Sequence, residues 1–113
     1  MKIELLYLDG CPSWRVAESL LREVLAEAKM SNRIEMIEIR TETDAQHCNF
    51  PGSSTIRFDG VDPFEQGEVM YGLECRVYRT PDGLRGWPTK EMLREAVNNV
   101  ARLQGDLLQV HPA

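Results

Sequence analysis

Long apolar runs, positive charge, cysteine pairs and nucleotide-binding motifs are scarce or missing in this chain of 113 residues. No hydrophobic stretch approaches the roughly 18 residues needed to cross a bilayer, which argues against a membrane span. Residues 1–10 carry early charges and contain no long apolar segment, so they do not resemble a signal peptide. We therefore expect a soluble, cytoplasmic protein with no membrane partner.

Basic residues are outnumbered, because 13 Lys and Arg face 18 Asp and Glu and leave a net charge of -5. Proteins dedicated to binding nucleic acid need a positive field, so we expect no nucleic-acid partner. The share of hydrophobic residues, 42%, is ordinary for a globular protein and excludes disorder of the whole chain. The length fits one domain with a single core.

Cysteine occurs only three times, as Cys11, Cys48 and Cys75, and no two of them form a C-x-x-C pair. Secreted disulfide scaffolds usually have even cysteine counts, so a reducing compartment is the better interpretation. The chain also lacks G-x-G-x-x-G, Walker A and H-E-x-x-H motifs. These absences predict no cofactor and no motif-encoded metal site.

Hydrophobic periodicity predicts a strand, a helix and a second strand in the first forty residues. Residues 3–8 form a short apolar run, and Pro12 suits the first helical position, which makes Cys11 the expected N-cap. Apolar residues then recur at helical spacing to about Met30, and residues 34–39 read as another strand. Two strands around one helix indicate a βαβ unit with parallel strands.

The rest of the chain predicts a short helix, two strands and a closing helix. A capping box from Thr43 to Gln46 indicates a helix over roughly residues 44–50. Strands are expected at 55–58 and around 73–78, antiparallel to each other, with Leu73, Cys75 and Val77 facing the core. Residues 61–70 read as a loop, and a helix begins near Pro88. We expect the domain to span residues 1–103, with a flexible tail at 104–113.

Three segments resemble the thioredoxin-like proteins in order and spacing. Residues 9–14 read Asp-Gly-Cys-Pro-Ser-Trp, where those proteins carry C-x-x-C. Residues 52–56 read Gly-Ser-Ser-Thr-Ile, where they carry a cis-proline before a strand, and residues 86–88 read Gly-Trp-Pro, before their last helix. With CPSW in place of C-x-x-C, the chain resembles a group of small bacterial thioredoxin-like proteins for which no reaction is established.

The resemblance implies an α/β fold of order β-α-β-(α)-β-β-α, with a four-stranded mixed sheet flanked by helices. Two departures stand out. Trp14 replaces the second cysteine, so the motif cannot close its own disulfide. Ser54 stands where the cis-proline is expected, and since a cis bond before a residue other than proline costs about 3–4 kcal/mol, we expect a trans bond there.

Cys11 is the candidate nucleophile. A thiol at a helix N-terminus faces unpaired backbone N–H groups and the positive end of the helix dipole, and both favour the thiolate. Cys48 could act as a resolving thiol, with His47 as a proton acceptor. For both of these residues, exposure in a mobile segment is the simpler interpretation, and for Cys75 it is burial as a small hydrophobe.

Six residues are expected to border the thiol. They are Pro12, Trp14, Ser53, Ser54, Thr55 and Trp87.

Three functional hypotheses follow. The first is a monothiol redox protein, in which Cys11 exchanges with a protein or small-molecule thiol or disulfide such as glutathione. The second is a binding module without catalysis that uses Trp14 and Trp87 as anchors for a partner or a homodimer. The third is a site for a soft metal or organometal built from Cys11 with Cys48 or Cys75, because thiolates suit soft ions.

Overall fold

The computed structural model describes residues 1–65 and 71–110, with the backbone alone described for 103–110. Over these residues the fold is α/β, with three helices, a three-stranded mixed sheet and a separate two-stranded sheet. The elements in chain order are β1 (Ile3–Tyr7), α1 (Ser13–Glu27), β2 (Ile34–Glu38), α2 (Glu42–His47), β3 (Thr55–Phe58), β4 (Tyr78–Thr80), β5 (Gly83–Arg85) and α3 (Lys90–Val110).

β1 is the central strand of the larger sheet. It pairs in parallel with β2 and antiparallel with β3, so that Ile3 lies between Ile34 and Phe58. The parallel pairing arises because α1 carries the chain back to the starting edge of the sheet between β1 and β2. The predicted βαβ unit and the predicted third strand are therefore confirmed.

Core side chains cover both faces of the larger sheet, because successive residues of a strand point to opposite faces. Ile3 and Leu5 of β1 belong to the main cluster with α1 and α3, whereas Leu6 belongs to a smaller cluster with Phe50. The helical members of the main cluster recur at helical spacing, as predicted: Ala17, Leu21, Val24, Leu25, Leu93, Ala96 and Val97.

The predicted fourth strand is wrong in position and in facing. β4 begins only at Tyr78 and pairs with β5 rather than β3, so the expected four-stranded sheet is replaced by sheets of three and two strands. Arg76 and Tyr78 are buried, whereas Leu73, Cys75 and Val77 are exposed. The alternation of apolar residues therefore predicted the wrong side chains to face the core.

A buried ion pair explains the reversed phase. The Nη1 of Arg76 lies 2.5 Å from Oδ2 of Asp62, and both side chains are only about a tenth exposed. The Nη2 of Arg76 donates to the Phe64 carbonyl at 2.6 Å, and the guanidinium lies 4.5 Å from the Tyr78 ring centroid. A buried charge is tolerated only when it is paired and hydrogen-bonded, and these partners come from a loop distant in sequence.

Helix ends differ from the predictions for local reasons. α1 has Pro12 as its N-cap, so Cys11 lies one residue before the cap. The helix ends at Glu27 because Lys29 adopts a left-handed φ of 56°.

α2 is capped by Thr41, whose hydroxyl accepts from the Asp44 N–H at 3.0 Å. The cap is therefore two residues earlier than the predicted box.

The two remaining predictions concern a loop and a tail. Residues 61–65 form no helix or strand beyond an isolated bridge at Val61, and residues 66–70 of the expected loop lie outside the described part of the chain. The backbone of α3 continues to Val110, so residues 104–110, expected as a tail, are helical. Residues 111–113 also lie outside the description. Among the described residues, no helix has the length and apolarity needed to cross a membrane.

The ion pair yields a stability prediction. Replacement Asp62→Asn removes the charge that balances buried Arg76, and we expect it to lower the free energy of unfolding by about 3–5 kcal/mol. Replacement Asp82→Asn in the exposed hairpin turn should change it by less than about 0.5 kcal/mol. Urea unfolding followed by circular dichroism measures both. Equal effects of the two variants would contradict the role given to the pair.

Candidate dithiol site

Cys11 lies in the turn that joins β1 to α1. Its N–H donates to the Leu8 carbonyl at 3.1 Å, and Pro12 caps the helix immediately after it. This turn places the sulfur near the helix start, as predicted, although not at the cap itself. Cys11 is only 4% exposed, so the thiol is held within the fold rather than presented to solvent.

Ser53 joins three parts of the chain around Cys11. Its N–H donates to the Glu74 carbonyl at 2.8 Å, and its own carbonyl accepts from the Arg76 N–H at 2.7 Å. Its hydroxyl accepts from the Leu8 N–H at 2.9 Å and also forms a hydrogen bond with Cys11. The first two bonds form a parallel bridge between Ser53 and Cys75, which brings Cys75 to the same residue that contacts Cys11.

The Ser53–Ser54 peptide bond is cis, so the expectation of a trans bond is wrong. The contacts of both residues hold this arrangement, and one of them comes from a side chain predicted to face solvent. The Tyr78 hydroxyl donates to the Ser54 carbonyl at 2.5 Å, and burial raises the pKa of Tyr78, which keeps this donor protonated. The Ser54 hydroxyl is buried and has no hydrogen-bond partner among the described residues.

Gly52 allows the segment of Cys75 to approach. It adopts a φ of 134°, and a Cβ at this position would lie 3.0 Å from the Cβ of Arg76. A side chain here would be strained by the backbone conformation and would also press against Arg76. Glycine is therefore required where the 74–76 segment runs alongside Ser53.

The side chains of Cys11 and Cys75 form a hydrogen bond with each other. Burial raises the pKa of the Cys11 thiol, but hydrogen bonds from Cys75, Ser13 and Ser53 outweigh it and leave the pKa below its ordinary value of 9.0. The bond to Cys11 is the main reason that the pKa of Cys75 is raised above 9.0, with burial adding to it. The first proton lost therefore comes from Cys11, and Cys75 stabilises the thiolate as a donor.

Ser13 is a contributor that the sequence analysis missed. Both its backbone and its side chain form hydrogen bonds with the Cys11 sulfur. A Cβ at Gly86 would lie 2.5 Å from the Ser13 Oγ, so the glycine leaves the space that this hydroxyl occupies. The position of Ser13 at the start of α1, two residues after Cys11, was the available signal.

His47 is the last residue of α2, and Cys48 is its C-cap. Cys48 is half-buried and packs against the smaller core cluster that contains Leu6 and Phe50. His47 is exposed. The sulfur that interacts with Cys11 is that of Cys75, the residue predicted to be a core hydrophobe.

The remaining expected site residues divide into core and border positions. Trp14 stacks on Tyr7 with ring centroids 4.4 Å apart, and Trp87 packs against the main core, so both rings are half-buried. Pro12 is exposed beside Cys11. The Thr55 hydroxyl donates to the Gly52 carbonyl at 2.7 Å, so its bond lies within residues 52–55.

The described residues offer few ways to hold a metal ion. Within residues 1–65 and 71–110, no group of three or more His, Cys, Asp or Glu side chains converges on one point. A tetrahedral zinc site, which needs three or four protein ligands, therefore finds no ligand set in this part of the chain.

Comparisons with known proteins yield no relative. The chain matches no family model, no curated protein and no solved structure. Its function must therefore be argued from the site itself.

The hydrogen bond between the thiols predicts how the pKa of Cys11 responds to substitution. Replacement Cys75→Ala removes the donor and should move the pKa of Cys11 up, towards 9.0. Replacement Cys75→Ser retains a hydroxyl donor and should raise it less. Thiolate absorbance measured against pH in a Cys48→Ser background gives these values, and coincident titrations of the Ala and Ser variants would contradict the assignment.

The lowered pKa also predicts a pH dependence of stability. Folding favours the Cys11 thiolate, so its contribution is fully present above the unfolded pKa of about 9.0 and is lost as the pH falls through the folded pKa. The free energy of unfolding of the wild type, relative to Cys11→Ser, should therefore rise with pH between those two values. Urea midpoints across this range measure it, and a flat difference would refute it.

Proposed function

We propose that this protein is a thioredoxin-like dithiol that exchanges with disulfides through Cys11 and Cys75. The observation that carries the proposal is that Ser53 brings the two cysteines together, since it forms a parallel bridge with Cys75 while its hydroxyl interacts with Cys11, and the two thiols also interact with each other. The placement of Cys11 between β1 and α1, beside the Ser53–Ser54 segment, agrees with the thioredoxin-like resemblance. The expected monothiol site thus becomes a pair.

The two thiols differ in exposure and in acidity. Cys75 is exposed, whereas Cys11 is 4% exposed, so an external disulfide reaches Cys75 first. Cys11 carries the lower pKa, so transfer of the Cys75 proton to the Cys11 thiolate is uphill and places the charge on Cys75 in only a minor fraction of molecules. The thiolate so formed on Cys75 has the higher pKa and is intrinsically the stronger nucleophile.

The reaction then runs in two exchanges. The Cys75 thiolate attacks a disulfide RSSR, forming a Cys75–S–SR bond and releasing RS⁻. The Cys11 thiol gives up its proton to the departing thiolate, and its sulfur attacks Cys75, releasing the second RS⁻, which takes a proton from water. The sum is protein dithiol plus RSSR giving protein disulfide plus two RSH, so the protein loses two electrons that the reagent gains.

The same pair supports a second candidate function, the binding of a soft cation by two thiolates. Thiolate sulfur is the ligand that soft ions such as Cu(I) prefer. Hydrogen bonds from Ser13 and Ser53 already stabilise negative charge on one of the two sulfurs. A two-coordinate complex would retain both thiolates without oxidation, which separates this candidate from the disulfide by mass.

Thiol trapping tests the proposed redox function. With excess hydroxyethyl disulfide, reduced Cys48→Ser protein should lose both thiol hydrogens and form the Cys11–Cys75 disulfide. Cys11→Ser/Cys48→Ser should stop at the mixed disulfide on Cys75, because the resolving thiol is missing. Cys75→Ser/Cys48→Ser should react at least about tenfold more slowly, because the remaining thiol is buried. Intact mass and peptide mapping identify each product.

Two results would overturn the redox function. One is the absence of an internal disulfide in the Cys48→Ser protein, and the other is faster modification of Cys11 than of Cys75. If no disulfide forms but Cu(I) binds at one ion per chain and is lost in Cys75→Ser, the soft-cation function replaces it. Failure of both would leave the fold as a binding module.

A further inference from the structure

The exposed side of Cys75 borders a cleft of about 630 Å³ that the proposed chemistry does not use. Its walls come from Asn49 and Pro51, from Arg57 of β3, from residues between 60 and 65, from Tyr71 and from the 74–77 segment. A cleft of this volume lies in the range that holds small molecules. Because Cys75 is a wall residue and Cys11 is not, a molecule in the cleft would lie beside Cys75 rather than beside Cys11.

The charges of the cleft walls are of two kinds. Arg76 and Asp62 neutralise each other in the buried ion pair. Within the described part of the chain, Arg57 donates to the Asn49 carbonyl at 2.8 Å and forms no ion pair. Its five-donor guanidinium therefore keeps donors for a carboxylate.

Glu65 and Glu74 also line the cleft, and among the side chains of residues 1–65 and 71–102 neither has an ion-pair partner. Both residues are exposed, so each can accept a hydrogen bond from an ammonium group. Glu74 directly precedes Cys75. The cleft therefore presents positive charge on β3 and negative charge beside the thiol.

Apolar side chains lie between these charges. Val61 is 65% exposed and Val77 is 56% exposed, and both line the cleft. Exposed valines at a concave surface can cover the carbon and sulfur atoms of a bound molecule, while the charged groups bind its ends. A wholly anionic ligand would be repelled by the two carboxylates, and a wholly cationic ligand would be repelled by Arg57.

From this arrangement we propose that the cleft binds zwitterionic amino-acid disulfides, of which cystine is the simplest, and that these are the substrates of Cys75. The proposal rests on the proposed dithiol function. The α-carboxylate of the amino acid binds Arg57, and its ammonium group binds Glu74 or Glu65. The substrate sulfur then lies beside the exposed Cys75.

The chemistry follows the two exchanges described above, with cystine as the oxidant. The Cys75 thiolate attacks one cystine sulfur, forms a mixed disulfide with one cysteine and releases the other as a thiolate. Cys11 then attacks the Cys75 sulfur and releases the second cysteine. Cystine gains two electrons and two protons and becomes two molecules of cysteine, and the protein dithiol becomes a disulfide.

Oxidation rates of the Cys48→Ser protein test the substrate class. The reagents are cystine, cationic cystamine, anionic 3,3′-dithiodipropionate and neutral hydroxyethyl disulfide. Each rate is divided by the rate at which the same reagent oxidises dithiothreitol, because leaving-group pKa alters intrinsic reactivity. We expect the normalised rate with cystine to exceed each of the other three by about tenfold, the effect of one charge-assisted contact.

Variants assign that preference to the cleft. Arg57→Gln should reduce the ratio of the cystine rate to the hydroxyethyl disulfide rate by about tenfold, and Arg57→Lys should reduce it less. Arg79→Gln is the matched control, since Arg79 is an exposed β4 residue outside the cleft walls, and it should leave the ratio unchanged. Equal normalised rates for all four reagents, or equal ratios for the Arg57 and Arg79 variants, would overturn the proposal.

A binding measurement separates this proposal from the redox function. The Cys11→Ser/Cys48→Ser/Cys75→Ser variant has no thiol and cannot exchange disulfides, yet it should bind S-methylcysteine more tightly than 3-(methylthio)propionate, which lacks the ammonium group. Amide shifts at Gly60, Val61 and Val77 report binding in the cleft. A normal cleft response without disulfide formation in the parent protein refutes only the redox function. Disulfide formation without any cleft response refutes only the substrate class.

Discussion

Three hydrogen bonds to the buried backbone and side chain of Ser53 hold the site together. The bonds to Glu74 and Arg76 place Cys75 alongside Ser53, and the bond from Leu8 ties the same residue to the end of β1. Since the Leu8 N–H occupies a lone pair of the Ser53 oxygen, the hydroxyl proton is free for the Cys11 sulfur.

Disulfide exchange needs a thiol that ionises easily and a thiol that solvent can reach. Each cysteine of the pair meets one of these requirements. Burial would by itself keep Cys11 protonated, but donors from Cys75, Ser13 and Ser53 outweigh that cost and favour the thiolate. Cys75 is the exposed thiol, and it borders a cleft that carries charges of both signs. The buried pair of Arg76 with Asp62 holds the backbone next to Cys75 and so connects the fold to the site.

Local patterns predicted the elements in which each residue interacts with near neighbours. The apolar run of β1, the helical spacing of α1 and the short strand β3 were all correct, because each pattern reports burial against a sheet or helix neighbour. The facing of residues 73–78 was wrong, because Arg76 is buried by Asp62 and Phe64, which lie more than ten residues away. No periodicity within the segment records a partner at that separation.

The sequence by itself determined the α/β class, the parallel β1–β2 unit and a cysteine at the junction of β1 with α1, since these follow from short-range periodicity and turn chemistry. Only the tertiary structure decided which sulfur meets Cys11, the isomer of the Ser53–Ser54 bond and the cleft beside Cys75. Those features depend on hydrogen bonds between segments that are distant along the chain. Their geometry exists only once the segments pack together.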